Sequence, residues 1–176
     1  MNKRAAQIAT ICECIDHCFV FTIWCEDFAN FFDEEDIVVG LDRGAELMAD
    51  ATRLMSFVAL RMLDDFLQGT KSKPDDLVAG DFGIDVPGVL AGISETFLIG
   101  NEREKVNNGV AHLTENLALD DDSEVDLQEI LSRLLPALER LASGLRTADT
   151  SQEATQWLDK TEALIERVHS LHARQT

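Results

Sequence analysis

The sequence predicts an all-α protein, a bundle of about five to six helices that closes with a helical hairpin. Three observations carry this expectation. Apolar residues recur at three- and four-residue steps through most of the chain. Breakers are scarce, with 3 Pro and 10 Gly in 176 residues. No stretch shows the strict alternation of a half-buried strand. At this length one domain is expected, spanning residues 1–176.

The first helix is expected over Lys3 to Phe32, because Ile8, Ile11, Cys12, Ile15, Cys18, Phe19, Thr22 and Cys25 fall at helical spacing. Between Cys18 and Cys25 it is apolar nearly all round, so burial on more than one side follows. Six of the 11 aromatics lie from Phe19 to Phe32, a surplus that suggests a self-association face and a homodimer. After the acidic run Asp33 to Asp36, a second long helix should begin near Leu41 and end near Gly69. Leu47, Leu54, Met55, Val58, Met62 and Phe66 supply its expected core stripe. Lys73-Pro74-Asp75-Asp76 reads as a short helix start, with Pro at its first position and acids in its first turn. A short helix over Val89 to Leu98 and another over about Glu102 to Leu117 are expected next.

The final third reads as a hairpin. Leu127, Leu131, Leu134, Leu138, Leu141 and Leu145 form one seam. Trp157, Thr161, Leu164, Val168 and Leu171 form the other. Thr150 with Glu153 makes a capping-box pattern before the last helix, and Pro136 should kink the helix that contains it.

Charge narrows the function classes. The formal net charge is −18, from 33 acidic and 15 basic residues. Such a field repels phosphate and makes nucleic acid an unfavourable ligand, while a basic protein partner fits it. No apolar run is long enough to span a bilayer, so no membrane partner is expected. The basic start at Lys3-Arg4 is not followed by an uninterrupted apolar stretch, because Gln7, Glu13 and Asp16 intervene. All four cysteines, at 12, 14, 18 and 25, sit in one helical stretch where they cannot staple distant segments. Reduced thiols and a cytoplasmic setting are expected.

Chemistry-bearing candidates are few. Cys14, His17 and Cys18 share a helix face and could supply part of a zinc site. No second Cys/His cluster accompanies them, so core cysteines and no metal or other cofactor are expected, with a metal-binding bundle as the alternative. Asp81-Phe82-Gly83 spells a kinase tripeptide without the loops and strands that give it meaning. The acidic runs lack the alternating ligands and central Gly of a calcium loop. Arg61, Asp64 and Asp65 cluster near the end of the second long helix as a candidate binding group. Arg61 and Asp65, one turn apart, are placed for an ion pair.

Asn107-Asn108-Gly109 places poor helix formers inside a helical segment that leads to His112. Arg61 to Phe66, Lys73 to Leu77, Asp81-Phe82 and Asn107 to Thr114 together resemble a group of bacterial helical proteins, which in turn resemble the HEPN superfamily. The resemblance covers about a third of the chain. It implies a helical bundle, commonly dimeric. Many members are metal-independent ribonucleases of toxin–antitoxin or defence systems, and others are partner-binding modules without catalysis. Active members carry an Arg, four to six intervening residues, and then a His. Here His112 corresponds to the His, but Arg103 lies nine residues before it, on the opposite side of a helix. Lys105 and Asn108 share the face of His112 instead, and Lys lacks the planar fork that grips phosphate in two places. The expected function is therefore a non-catalytic, homodimeric interaction protein in a bacterial stress or defence system. The alternative is a ribonuclease with His112 as acid/base, Lys105 as phosphate cation and Asn108 beside them.

Overall fold

The computed structural model describes residues 2–31, 39–69, 71, 73–111 and 127–175. Among these residues the backbone forms seven α-helices, one 3-10 turn and no strand, as an all-α bundle requires. The helices are α1 (Lys3–Cys18), α2 (Val20–Phe31), α3 (Val39–Gln68), α4 (Val86–Leu90), α5 (Glu102–Ala111), α6 (Leu127–Ala148) and α7 (Gln152–Gln175). The 3-10 turn, Ala79–Phe82, precedes α4.

Helix α1 packs between α3 and α7. Its Ile8, Ile11, Cys12, Ile15 and Cys18 are buried, as their spacing requires. The expected single helix to Phe32 instead bends by 45° at Phe19. Phe19 caps α1, its N–H bonding the Asp16 carbonyl at 3.1 Å. The Ser56 hydroxyl of α3 donates to the His17 carbonyl at 3.1 Å, competing for an acceptor that a continuous helix would use internally. The bend sends α2 along α3, and Phe19 is fully buried within the chain. That removes Phe19 from the expected self-association face. Phe21 and Trp24 are half-buried, and the side chains of Phe28, Phe31 and Phe32 fall outside the described set.

Helix α3 ends as the sequence implies, with Gly69 in the left-handed region at φ 70°. Its inner face is not the expected one. Phe57, Leu60, Leu63 and Leu67 are buried with Phe66, while Leu47, Met55, Val58 and Met62 of the expected stripe lie on the outside. Two apolar stripes coexist on this helix, and the other one faces the core.

The hairpin follows its pattern closely. All six leucines of the α6 seam are buried, as are Thr161, Val168 and Leu171 of α7. Helix α6 continues through Pro136. Ser151, rather than Thr150, caps α7: its hydroxyl accepts the Ala154 N–H at 3.3 Å, and Glu153 turns away to accept the Asn2 N–H at 3.0 Å. Lys73 to Asp76 is a turn, not a helix start: the Asp76 N–H bonds the Lys73 carbonyl at 3.2 Å, the Asp76 carboxylate takes the Lys73 N–H at 2.7 Å, and the backbone stays irregular to Val78. The short helix expected over Val89 to Leu98 occurs earlier, as α4, and turns follow it to Gly100. Residues 112–117 of the expected α5 extension, and the acidic run at 120–122, lie outside the described residues.

Leu134 is wholly buried on the α6 seam. Leu134→Ala should therefore lower unfolding free energy by about 2–5 kcal/mol. Urea titration followed by far-UV circular dichroism measures it, and a loss under about 1 kcal/mol would contradict the packing of α6.

Candidate functional site

The C-terminal end of α3 gathers the densest polar cluster. Asp64 is on the inner side, its side chain 1% exposed. Its carboxylate accepts from Gln68 Nε2 at 2.9 Å and from the Leu98 N–H at 3.4 Å, and lies 3.3 Å from Arg103 Nε. Arg103, from α5, also pairs with Asp65 at 2.6 Å and donates to Gln68 Oε1. Burial raises the Asp64 pKa, and the Arg103 charge and the two hydrogen bonds oppose that rise.

The structure thus brings Asp64 and Asp65 together but gives them a different partner from the one the sequence suggested. Arg61 is exposed and does not take Asp65, because Arg103 occupies it. A helical i,i+4 pair contributes only a few tenths of a kcal/mol, so a forked guanidinium from another helix displaces it readily. The cluster's geometry is that of a clamp between α3, α5 and the turn at Leu98. Each oxygen of Asp64 already has a partner.

Of the second candidate group, Lys105 is half-buried on α5, and Asn108 lies on its helical backbone with its side chain outside the described set. His112 lies outside the described residues. Asn107, next to this group, carries a buried Oδ1 that has no hydrogen-bond partner among the described residues.

Other cations are engaged in holding the fold. Arg4 donates to the Asp81 carbonyl and lies 4.1 Å over the Phe82 ring. Arg133 joins Glu102 and the Phe97 carbonyl, and Arg140 donates to the Val89 and Ala91 carbonyls at 2.8 and 2.9 Å. Arg146 links to Asp159 and Glu162 across the hairpin. His169 meets Glu139 at 2.6 Å, and Ser132 meets His172 at 3.4 Å. These are two separate α6–α7 contacts. The histidine that meets the serine is not the one that meets the carboxylate, so they do not form a nucleophile–base–carboxylate relay. An open cavity of about 580 Å³ is lined by Val86, Pro87, Leu90 and residues 91–95. None of Arg61, Asp64, Asp65 or Lys105 reaches it.

The proposed zinc face disperses on folding. Cys18 points into the core and donates its Sγ–H to the Cys14 carbonyl at 3.3 Å, while His17 is exposed. Among the described residues no group of three or more His, Cys, Asp or Glu is placed to hold a metal ion. All four cysteines are free. Burial pushes the Cys12 thiol up to about 11 and Cys18 well above its ordinary value, and Cys14 and Cys25 also upward.

What the sequence assigned to the core and the structure turns outward is an apolar stripe on α3. Leu47 is 60% exposed, Met48 52%, Met62 49%, Met55 40% and Val58 37%. At about 100° per residue they fall within roughly 100° of helix circumference, with exposed Ala51 among them. The signal was present as two interleaved apolar sets on α3, more than one core-facing stripe needs. Neither protein-family models, nor curated proteins, nor solved structures give a match to this chain.

Two outcomes follow from this chemistry. Arg103→Ala should destabilise by about 2 kcal/mol at neutral pH, below the value for a fully buried pair because the Arg103 side chain is 42% exposed. The variant leaves Asp64 buried without its cation, so its pKa rises further. The folded state then holds a proton that the unfolded state has already released. The deficit is therefore full at neutral pH and shrinks as pH falls through the raised Asp64 pKa toward the ordinary carboxylate range. Urea melts at several pH values measure this, and a pH-independent deficit would contradict the clamp. Separately, a thiol-specific reagent at neutral pH should label Cys14 and Cys25 slowly, and Cys12 and Cys18 only after unfolding. Fast labelling of Cys18 in the native protein, followed by mass spectrometry, would contradict its burial.

Proposed function

We propose that this chain is a non-catalytic, HEPN-like interaction protein that works as a homodimer in the bacterial cytoplasm, within a stress or defence system. The observation that carries the dimer is the α3 stripe of Leu47, Met48, Met55, Val58 and Met62, exposed on a chain that is otherwise strongly acidic. Contiguous apolar surface costs free energy in water, and a second copy of the same stripe covers it. Non-catalysis is supported by the deployment of the cations. Arg4, Arg103, Arg133, Arg140 and Arg146 hold carbonyls and carboxylates of their own chain rather than a phosphate-gripping groove. The acidic surface left over suits a basic protein as the further partner. The setting in stress or defence comes from the family resemblance.

Light scattering at tens of micromolar should give a dimer mass for the native protein and a monomer mass for Leu47→Glu and for Met62→Glu. Both variants should keep the native helical spectrum, since these side chains do not enter the core. A native monomer would overturn the homodimer. The purified protein should leave a mixed RNA pool intact. Cleavage that disappears in His112→Ala at unchanged stability would replace this reading with the ribonuclease that uses His112 and Lys105.

A further inference from the structure

The α3 stripe also carries information about how two copies meet. Leu47, Ala51, Met55, Val58 and Met62 follow one line along the helix in steps of four, four, three and four residues. Asp50 and Arg61 border that line on the same side. The eleven residues between them turn about 1,100°, which is only about 20° past three full turns, and rise about 16 Å. Both are exposed, and neither forms a hydrogen bond or ion pair among the described residues. The nearest opposite charge to Arg61 along the helix, Asp65, is held by Arg103 at 2.6 Å.

Symmetry converts this placement into an orientation. A two-fold axis perpendicular to the helices reverses one copy and brings the same border of each helix together. A parallel pair brings opposite borders together and leaves Asp50 and Arg61 about 16 Å apart in height. The midpoint of Asp50 and Arg61 falls within one residue of the midpoint of Leu47 and Met62. A single axis beside Met55 therefore sets Leu47 against Met62, Ala51 against Val58, and Asp50 against Arg61, each twice.

Resting on the homodimer reading above, we infer that two copies pair antiparallel through α3, about a two-fold axis at Met55, with Asp50 of each copy facing Arg61 of the other. The apolar line is self-complementary in this register. The two charges left without partners in one chain become partners in the pair.

The test uses two charge reversals and their mixture. Asp50→Arg alone sets Arg against Arg at both ends of the seam, and Arg61→Asp alone sets Asp against Asp. Each single variant should dimerise at least tenfold more weakly than the native chain by sedimentation equilibrium. Mixing the two should restore a heterodimer, because each chain then offers the charge the other lacks; native mass spectrometry identifies it by mass. Thermal unfolding of each variant at low concentration should match that of the native monomer, since both positions are exposed. If the native protein dimerises but the single variants dimerise equally well, or their mixture gives no heterodimer, the antiparallel seam is overturned and the homodimer stands. A native protein that stays monomeric overturns both.

Discussion

Helix α1 cannot be left with one side in water. From Ala5 to Phe19 its buried residues point both toward α3 and toward α7, and no single neighbour covers them. This requirement organises the bundle. Two long helices must flank α1, and α7 in turn presents a second apolar face that α6 covers with its leucine seam. Polar links run along the same contacts. Thr161 of α7 donates to Asp16 of α1 at 2.8 Å, and Ser56 of α3 donates to the His17 carbonyl. Burial raises the Asp16 pKa, and the Thr161 bond partly offsets it. The same Ser56 contact competes with the helical ladder where the first helix bends, so the packing of α1 also sets the direction of α2.

The connection between α3 and α5 follows from a different constraint. Its irregular backbone exposes carbonyls that no helix satisfies. Long cationic side chains from elsewhere supply the donors: Arg4 to Asp81, Arg133 to Phe97, Arg140 to Val89 and Ala91. Lys71 adds an ion pair to Asp81, and Arg103 draws α5 onto Asp64 and Asp65. Five of the 15 basic residues in the chain are engaged in this way.

The hairpin and the helical class were legible because they rest on local periodicity. Each leucine of α6 declares its face through its neighbours three and four residues away. The inner face of α3 was not legible. Leu47-Met55-Val58-Met62 and Phe57-Leu60-Leu63-Leu67 both satisfy a helical period, and the tertiary partners α1, α2 and α5 select between them. The Arg61–Asp65 pair failed for a related reason. Residue spacing shows which charges can meet along a helix, but not that Arg103 arrives from 38 positions away with a better geometry. The break at Phe19 likewise involves Ser56, on another helix. Asp64 and Asp65 stood out in the sequence as a candidate binding group because acids beside Leu63 and Phe66 are conspicuous, and their contacts with Arg103 needed the fold. The His112 group rests on resemblance alone, with His112 beyond the described residues.

In the homodimer proposed above, two chains of −18 each come together, so the proposed attraction must be short-ranged. At physiological salt, screening reduces charge interactions beyond about 8 Å, so acids on distant faces of two copies repel only weakly. Within the seam the balance differs. The stripe from Leu47 to Met62 carries no acid on its central line, and Arg61 places a cation at its border. Apolar burial then supplies the affinity, while the border charges reject registers that set Asp50 against Asp50 or Arg61 against Arg61. The same division explains how an acidic surface and an apolar face coexist on one molecule. In the proposed pair the repulsion between acidic surfaces opposes contact in general, and the line of Leu47, Ala51, Met55, Val58 and Met62, which carries no charge, is the face proposed to overcome it.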